Sequence, residues 1–552
     1  MGAYVLLFLD KCLGTLSFNN YHSLNTTSNL YTKAFRFVIF TILLTFNCFS
    51  QSIEISIDPT KKFQDIDGFG ASDAWRTQFV GKNWPDKKKQ QIADWLFSKE
   101  IDKNGNPKGI GLSIWRFYIS AGSTEQGEAS GIKNEWRRGE SFIDESGNYD
   151  WNKQQGQQWF LNEAKDAGVD KFLAFSIAAP YFWSKNDKAY APLTGGSINL
   201  QPNYFDEYSR FLVEIIDHFE QEGIHFDYLS PINEPQWEWE KGSQEGTPAK
   251  NNEISDLVAM LDKDLRSKDL STSIIPGEAA DLRYLYSRFE KPDRDNQIEA
   301  FFSKDKKEPE TYIRDLHSVE PIISGHSYFT TWPVDSLITI RRKLNNKLQK
   351  NDLEYWQSEF CILENSDDIG GGSKRDLGIN TALYVARVIH ADLTLANARS
   401  WQWWTALTIA DFKDGLIYLD TGDPKNMYDQ ESLKYDGEFH DSKLLWALGN
   451  YSRFVTPRMQ RISAVSNSAL PEEEQFKDLM VSAYYDATNN KSVVVLINYS
   501  EEEKNIDLKS TNLNLDSAYE TSEASDLGYR AINKNQVKLA PKSITTLTGK
   551  FH

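Results

Sequence analysis

The segment FDEYSRFLVEIIDHFEQ at 205–221 leads, through four residues, into FDYLSPINEP at 226–235. The first stretch places apolar residues three and four apart, the spacing of a helix that covers something on one side. The second is a short apolar run that ends abruptly in Asn233, Glu234 and Pro235, as a buried strand does when it delivers polar groups to one end of a sheet. The same alternation recurs on both sides, from residue 66 to about residue 405. Candidate strands are Ile66 to Ala71, Ile110 to Phe117, Lys171 to Ile177, Phe226 to Ile232, Ser273 to Pro276, Pro321 to His326, Leu353 to Phe360 and Ser400 to Trp404. Segments between them, such as Asn380 to Ala396, repeat the helical spacing. Eight such units predict an α/β fold, a closed (β/α)8 TIM barrel over residues 65–447. An open, doubly wound sheet that bound nucleotide would carry a glycine-rich turn after its first strand. No G-x-G-x-x-G or P-loop is present, and Gly370, Gly371 and Gly372 read as a plain loop.

Past about residue 460 the pattern changes to short alternating strands, Leu479 to Tyr485, Ser492 to Tyr499, Ile506 to Leu508, Gln536 to Leu539 and Ile544 to Thr548. They predict an antiparallel β-sandwich over 448–552. The early strand Ile53 to Ile57, within 51–64, is expected to join that sandwich, making it a packed companion of the barrel.

Residues 1–50 read as an N-terminal extension and signal peptide. Lys33 and Arg36 precede the apolar run Phe37 to Phe46, and Cys48, Phe49 and Ser50 offer a cleavage site near Ser50. The run is shorter than the roughly 20 apolar residues a membrane span needs. A secreted, periplasmic or cell-surface protein is therefore expected. Residues 1–32 read as a segment ahead of the true start. Lipid anchoring at Cys48 is a competing reading, weakened by the poor match of Thr45, Phe46 and Asn47 to a lipobox. Of Cys12, Cys48 and Cys361, cleavage would leave only Cys361, so no intrachain disulfide is expected, and its apolar surroundings read as a buried thiol.

A formal net charge of −18 repels phosphate backbones and anionic lipid, which argues against nucleic acid and membrane surfaces as partners. A neutral polysaccharide or oligosaccharide suits it better, and the chain reads as a monomer. The eight histidines lack zinc-hydrolase spacing and no loop has the calcium-hand pattern, so neither metal nor cofactor is called for.

Barrel enzymes place working groups at the C-terminal ends of strands. The fourth candidate strand ends in Asn233-Glu234-Pro235, and the seventh in Ser358-Glu359. Cleaving a glycosidic bond needs such a carboxyl pair, one member to protonate the departing oxygen and one to meet the oxocarbenium-like centre from the opposite face. Either glutamate alone would read equally well as a salt bridge or a helix cap.

Gly68-Phe69-Gly70-Ala71, Asn233-Glu234-Pro235, Ser358-Glu359 and the joining segment LGNYSRF at 448–454 together resemble glycoside hydrolase family 30. The resemblance covers nearly all of the chain past residue 50. It implies a (β/α)8 barrel with a side β-sandwich, hydrolysis with retention, Glu234 as acid/base and Glu359 as nucleophile. GASDAW at 70–75 and NEPQW at 233–237 are most similar to the endo-β-1,6-galactanase branch, which implies arabinogalactan-type galactan as substrate.

Supporting roles follow from residue chemistry. Asn233 suits a bond to the sugar 2-hydroxyl, or a loop cap. Arg116, closing the second strand, suits an ion pair that keeps Glu359 charged, or a structural pair elsewhere. His326 and Tyr328 alternate at the end of the sixth strand, with Tyr328 placed to bond the nucleophile. Glu278 is a third carboxylate at the same face, for substrate hydroxyls or for catalysis. Asp73 suits either a sugar hydroxyl or a local turn. Trp75, Trp183, Trp237 and Trp403 are the indoles expected to pack on sugar faces, with Trp239 and Trp404 nearby. Loops 122–160 and 238–252 are expected to shape the cleft. The rival readings are a β-1,6-glucanase, a xylanase, an exo-acting β-glucosidase or β-fucosidase, a non-catalytic carbohydrate-binding protein and a transporter-associated structural protein.

Overall fold

The computed structural model describes residues 52–510, 513–532 and 536–552. The expected signal segment, Cys12 and Cys48 lie outside the described residues. Residues 52–552 form one compact unit.

Eight parallel strands make the barrel: Gly68–Ser72, Ile114–Ile119, Lys171–Ser176, Tyr228–Ser230, Ser273–Ile274, Ile322–His326, Glu354–Glu359 and Ser400–Trp403. The first strand pairs with the second and the eighth, and pairing continues round to the fifth and sixth. These last two meet through single bridges, Ile274 to Val319 and Ala279 to Gly325, and through the His326 N–H donating to the Ala279 carbonyl at 2.8 Å. The sheet thus closes on itself and leaves no free edge.

The second strand, IWRFYI, shows how the barrel is filled, because every residue in it is buried. Successive side chains leave a strand on opposite faces. Trp115, Phe117 and Ile119 join the core between sheet and helices, while Ile114 packs inside the barrel with Leu173, Tyr228, Ile275, Ile322 and Trp356. That inner cluster plugs the lower barrel. Two residues further along the same face comes Arg116, a fully buried guanidinium where an aliphatic side chain would ordinarily sit.

This strand begins four residues later than the sequence suggests, at Ile114 rather than Ile110. Gly111 has φ +57°, a left-handed turn that extended pairing does not accept, and pairing starts only beyond it. The fifth strand is shorter than expected, Ser273–Ile274.

Nine strands form the second sheet, mostly antiparallel. Ile53–Asp65 lies within it, antiparallel to Gln460–Ser466 and parallel to Lys504–Ser510. Leu513–Ser522 and Ser525–Arg530 are further members that the sequence pattern left out. In Lys491–Asn498 the two faces separate cleanly. Val494 and Leu496 enter the sheet's own core, whereas Val493, Val495 and Ile497 join the barrel's core. Each such side chain stabilises the union by about 1.5–3 kcal/mol. Residue 448, where the sequence reading divides barrel from sandwich, lies inside the helix Lys443–Ser452. Asn450 on that helix exchanges hydrogen bonds with Thr546, donating at 3.0 Å and accepting at 2.6 Å.

A small sheet, Thr405–Thr408, Gly415–Asp420 and Glu438–His440, follows the eighth strand and was not foreseen. The turn between its first two strands carries Asp411 and Phe412 to the barrel mouth. Among the described residues, no helix is long and apolar enough to cross a membrane.

Candidate active site

The carboxylates of Glu234 and Glu359 face each other across a cleft of about 530 Å³ at the C-terminal end of the barrel. Glu234 follows the fourth strand on backbone with φ +47°, and its N–H donates to the Glu278 carbonyl at 3.0 Å. Non-glycine residues avoid that conformation, so the surroundings must hold it. Glu278, after the fifth strand, has φ +44°, and its N–H donates to Ser324 Oγ at 3.0 Å. The two bends brace each other. A carboxylate oxygen of Glu234, a ring nitrogen of His326 and a carboxylate oxygen of Glu359 lie within 4.8 Å of one another.

Arg116 organises the floor. Its Nη1 donates to Glu359 Oε2 at 2.5 Å, and its Nη2 to Asn233 Oδ1 at 2.9 Å and to Glu278 Oε2 at 3.0 Å. Its guanidinium also lies 3.7 Å from the centre of the Phe175 ring. Burial alone would lower its pKa, but the charges of Glu278 and Glu359 raise it, so the guanidinium stays charged. Glu359 Oε1 accepts from the Tyr328 hydroxyl at 2.9 Å. Burial, followed by the neighbouring Cys361 and Glu359, pushes that phenol well above its usual range and keeps it a donor.

His326 Nδ1 meets Glu234 Oε1 at 2.9 Å and its Nε2 meets Glu278 Oε2 at 2.7 Å. Burial would lower the ring's pKa, but Glu359, Glu234 and Glu278 carry it up to about 10. Burial also pushes the Glu234 carboxyl up, against the pull of the His326 bond. Burial acts in the same sense on Glu278, but there Arg116, His326 and Ser358 prevail and bring it down to about 2. Burial thus raises the carboxyl that lines the cleft, while the carboxylate behind it is held down by its cation and hydrogen-bond donors. Glu234, His326 and Glu359 also form a grouping of metal-ligand type. An imidazolium whose two N–H groups face carboxylates has no lone pair for a metal.

Of the residues singled out from sequence, Trp75, Asn233, Glu234, Trp237, Tyr328 and Glu359 line the cleft. Arg116, Glu278 and His326 stand behind its wall, fully buried and bonded to it. Three others lie elsewhere. Asp73 is fully buried, its oxygens accepting from Tyr118 N–H at 2.9 Å and Gln157 Nε2 at 3.1 Å, so it braces the first two strands and cannot meet a sugar. Burial pushes its carboxyl up to about 7. Trp183 lies on the turn Tyr181–Trp183 and stacks on Tyr204 at 5.8 Å, against the helix Phe205–Gln221. Trp403 shares the outward face of the eighth strand with Trp401, 6.2 Å away, and donates to the Asp414 carbonyl at 2.8 Å.

Trp404, one residue on, turns inward and lines the cleft with Trp239, Phe329 and Phe412. Alternation along WQWW at 401–404 carried the signal for Trp404. Loop 122–160 contributes Arg137 and loop 238–252 contributes Trp239 and Gln244. Glu245, which no sequence signal marked, ties that second loop down. It accepts from Ala121 N–H at 2.8 Å, from Ser123 Oγ at 2.5 Å and from the Tyr118 hydroxyl. Cys361 is a buried free thiol beside the cleft, 3.8 Å from the Tyr328 oxygen.

The sequence profile of O-glycosyl hydrolase family 30 matches residues 52–418. An endo-β-1,6-galactanase of Hypocrea rufa is 27% identical over 237 residues, 40% of this chain and 48% of that protein, so the match spans about half the length of that relative. A conserved exported protein from Bacteroides fragilis has a crystal structure 37% identical to this chain, covering 90% of this chain and 99% of that one, with TM-score 0.84. The catalytic domain of a family 30 xylanase C from Talaromyces cellulolyticus shares the fold at 21% identity and TM-score 0.61, over 90% of this chain and all (100%) of that one.

Proposed function

The chain belongs to O-glycosyl hydrolase family 30 and is a glycoside hydrolase, and from that premise we propose that it is a secreted, retaining endo-β-1,6-galactanase in which Glu359 is the nucleophile and Glu234 the acid/base. The observation that carries the mechanism is the close approach of the two carboxyl groups, with oxygens within 4.8 Å. Retaining enzymes hold their carboxyls about 5–5.5 Å apart, whereas inverting ones leave roughly 6.5–9.5 Å for a water molecule.

In the first displacement the Glu359 carboxylate attacks the anomeric carbon. The bond from that carbon to the leaving sugar breaks, and the proton on Glu234 passes to the departing oxygen. In the second, water attacks the same carbon and gives its proton to Glu234, the ester bond to Glu359 breaks, and the original configuration returns. Arg116 and Tyr328 each donate to one oxygen of Glu359, holding it aimed. The raised pKa of Glu234 suits a group that must start as an acid. Asn233 accepts from Arg116 with its carbonyl oxygen, which leaves its amide N–H groups for a sugar hydroxyl. Trp75, Trp237, Trp239 and Trp404 offer indole surfaces for pyranose rings.

The galactan substrate is supported by the Hypocrea rufa relative and by the GASDAW and NEPQW motifs. Secretion is supported by the signal-like segment before Gln51 and by the exported Bacteroides fragilis protein. Product analysis of residues 51–552 on β-1,6-galactan, β-1,6-glucan, xylan and aryl glycosides tests the reading. Oligosaccharides released from galactan alone are expected. Release from glucan or xylan instead would replace the substrate, and monosaccharide from aryl glycosides alone would replace the endo mode.

A further inference from the structure

Glu278 is a carboxylate bonded to the partners of Glu234 and Glu359 that the double displacement leaves without a task. It is fully buried and does not line the cleft, so substrate cannot reach it. Its Oε2 accepts from three donors: Arg116 Nη2 at 3.0 Å, His326 Nε2 at 2.7 Å and Ser358 Oγ at 2.9 Å. Arg116 is also the partner of Glu359, and His326 of Glu234. A second link runs through the backbone, where the Glu234 N–H donates to the Glu278 carbonyl at 3.0 Å. A carboxylate needed only for folding has no reason to contact the partners of both cleft glutamates at once.

We propose that Glu278 is a positioning residue for the glycosidic reaction: its buried carboxylate fixes a proton on His326 Nε2 and anchors Arg116, and through these two side chains it governs the charge of Glu234 and the aim of Glu359. The proposal rests on the assignment of Glu234 as acid/base and Glu359 as nucleophile.

The chemistry follows from the imidazole. A neutral ring has one N–H and one lone pair. With Glu278 accepting at Nε2, that nitrogen carries hydrogen. Nδ1 faces Glu234 Oε1, so one proton lies between that oxygen and the ring, on one or the other, while the proton that Glu234 gives to the leaving oxygen and takes back from water belongs to Oε2, the oxygen the ring leaves free. The negative charge of Glu278 favours the charged ring. So do Glu234 itself and Glu359, whose Oε1 is 3.7 Å from Nδ1. Arg116 opposes it, and Tyr328, on the same strand end with its ring 5.7 Å away, stays neutral. A charged ring beside Glu234 stabilises its carboxylate, the form needed when water is activated in the second displacement. Without Glu278 the ring loses the acceptor at Nε2 and one of the three negative charges that favour its second proton, and the balance shifts towards a neutral ring and a Glu234 that holds its proton when it must give it up.

The test is Glu278→Gln, read first by nitrogen NMR of the histidine-labelled protein at pH 8. In the wild type both ring nitrogens of His326 are expected to be protonated, and in the variant one becomes pyridine-like. On an activated aryl glycoside of β-1,6-galactobiose, kcat is expected to fall about tenfold with KM falling alongside it, as glycosyl-enzyme accumulates and a burst of phenolate appears. Glu278→Asp keeps the charge, so its ring is expected to stay doubly protonated and its kcat to exceed that of the Gln variant. An unchanged ring in Glu278→Gln overturns the proposal. So does an equal loss of kcat and kcat/KM without a burst, or equal impairment of the Asp and Gln variants, each being the mark of a structural role. The NMR reading needs no substrate, so a failure of the galactan assignment would appear in product analysis and leave this test decisive.

Discussion

At the base of the barrel, where the strands enter, a hollow of about 950 Å³ opens beside the nine-stranded sheet, and at the mouth, where they leave, the cleft is little more than half that size. The larger hollow is lined by cations and anions that pair off at its edge. Arg399 bonds Asp67 and Glu354, Asp67 also accepts from Trp356 Nε1 at 2.9 Å, and Lys99 meets Asp170 at 3.1 Å in half-exposed positions. At the mouth, three carboxylates share one arginine and one histidine, all but out of contact with solvent. Volume does not mark the working end of this barrel. The mark is charge that cannot be neutralised pair by pair: burial raises Glu234 while Arg116, His326 and Ser358 hold Glu278 down to about 2.

The largest effect expected is on Glu359→Gln, which should lower kcat on galactan by at least about 10³-fold while leaving oligosaccharide binding measurable by calorimetry. Near-normal turnover would mean that the mouth's charge crowding serves something other than this chemistry. Glu234→Gln should cost about 10²–10⁴-fold on unactivated substrate and much less on a glycoside with a good leaving group, since only the former needs the proton. Equal loss on both would remove Glu234 from the acid's role.

Stability should separate the two ends next. Arg116→Met leaves buried carboxylates without their cation and should cost about 3–5 kcal/mol by denaturant titration. Arg399→Met removes a partly exposed pair at the base and should cost about 1 kcal/mol or less. Similar costs would erase the distinction drawn here. A further effect is on pH dependence. His326 has a folded-state pKa of about 10, above its ordinary 6.5, so the stability it contributes is fully present below about pH 6.5 and is lost as pH rises through about 10. The gap in Tm between the wild type and His326→Asn should therefore be widest in mild acid and narrow towards pH 10. A gap that widens with alkalinity would refute a charged ring.

Much of this was legible in the chain. Strand-end carboxylates can be found because apolar runs stop where polar work begins, and Glu234 and Glu359 stand at two such stops. Trp403 and Trp404 show where legibility ends. Both close the eighth strand, but a strand turns alternate residues to opposite faces, and only the position of the barrel axis says which face is the inside. Asp73 and Trp183 were misplaced for a related reason. Each follows a strand end, and the turn taken there sent one to the Tyr118 amide and the other to the Tyr204 ring.

The eight alternating units, the pair of glutamates and the family are written in the order of the residues, because periodicity and short motifs are local properties of a chain. That Glu278 lies behind Glu234 and Glu359, that His326 bridges two carboxyl groups, and that Arg116 reaches three elements at once emerges with the folded barrel. Those relations join residues 44 to 243 positions apart. Their energies come from burial and charge at contact distance, which a linear pattern does not display.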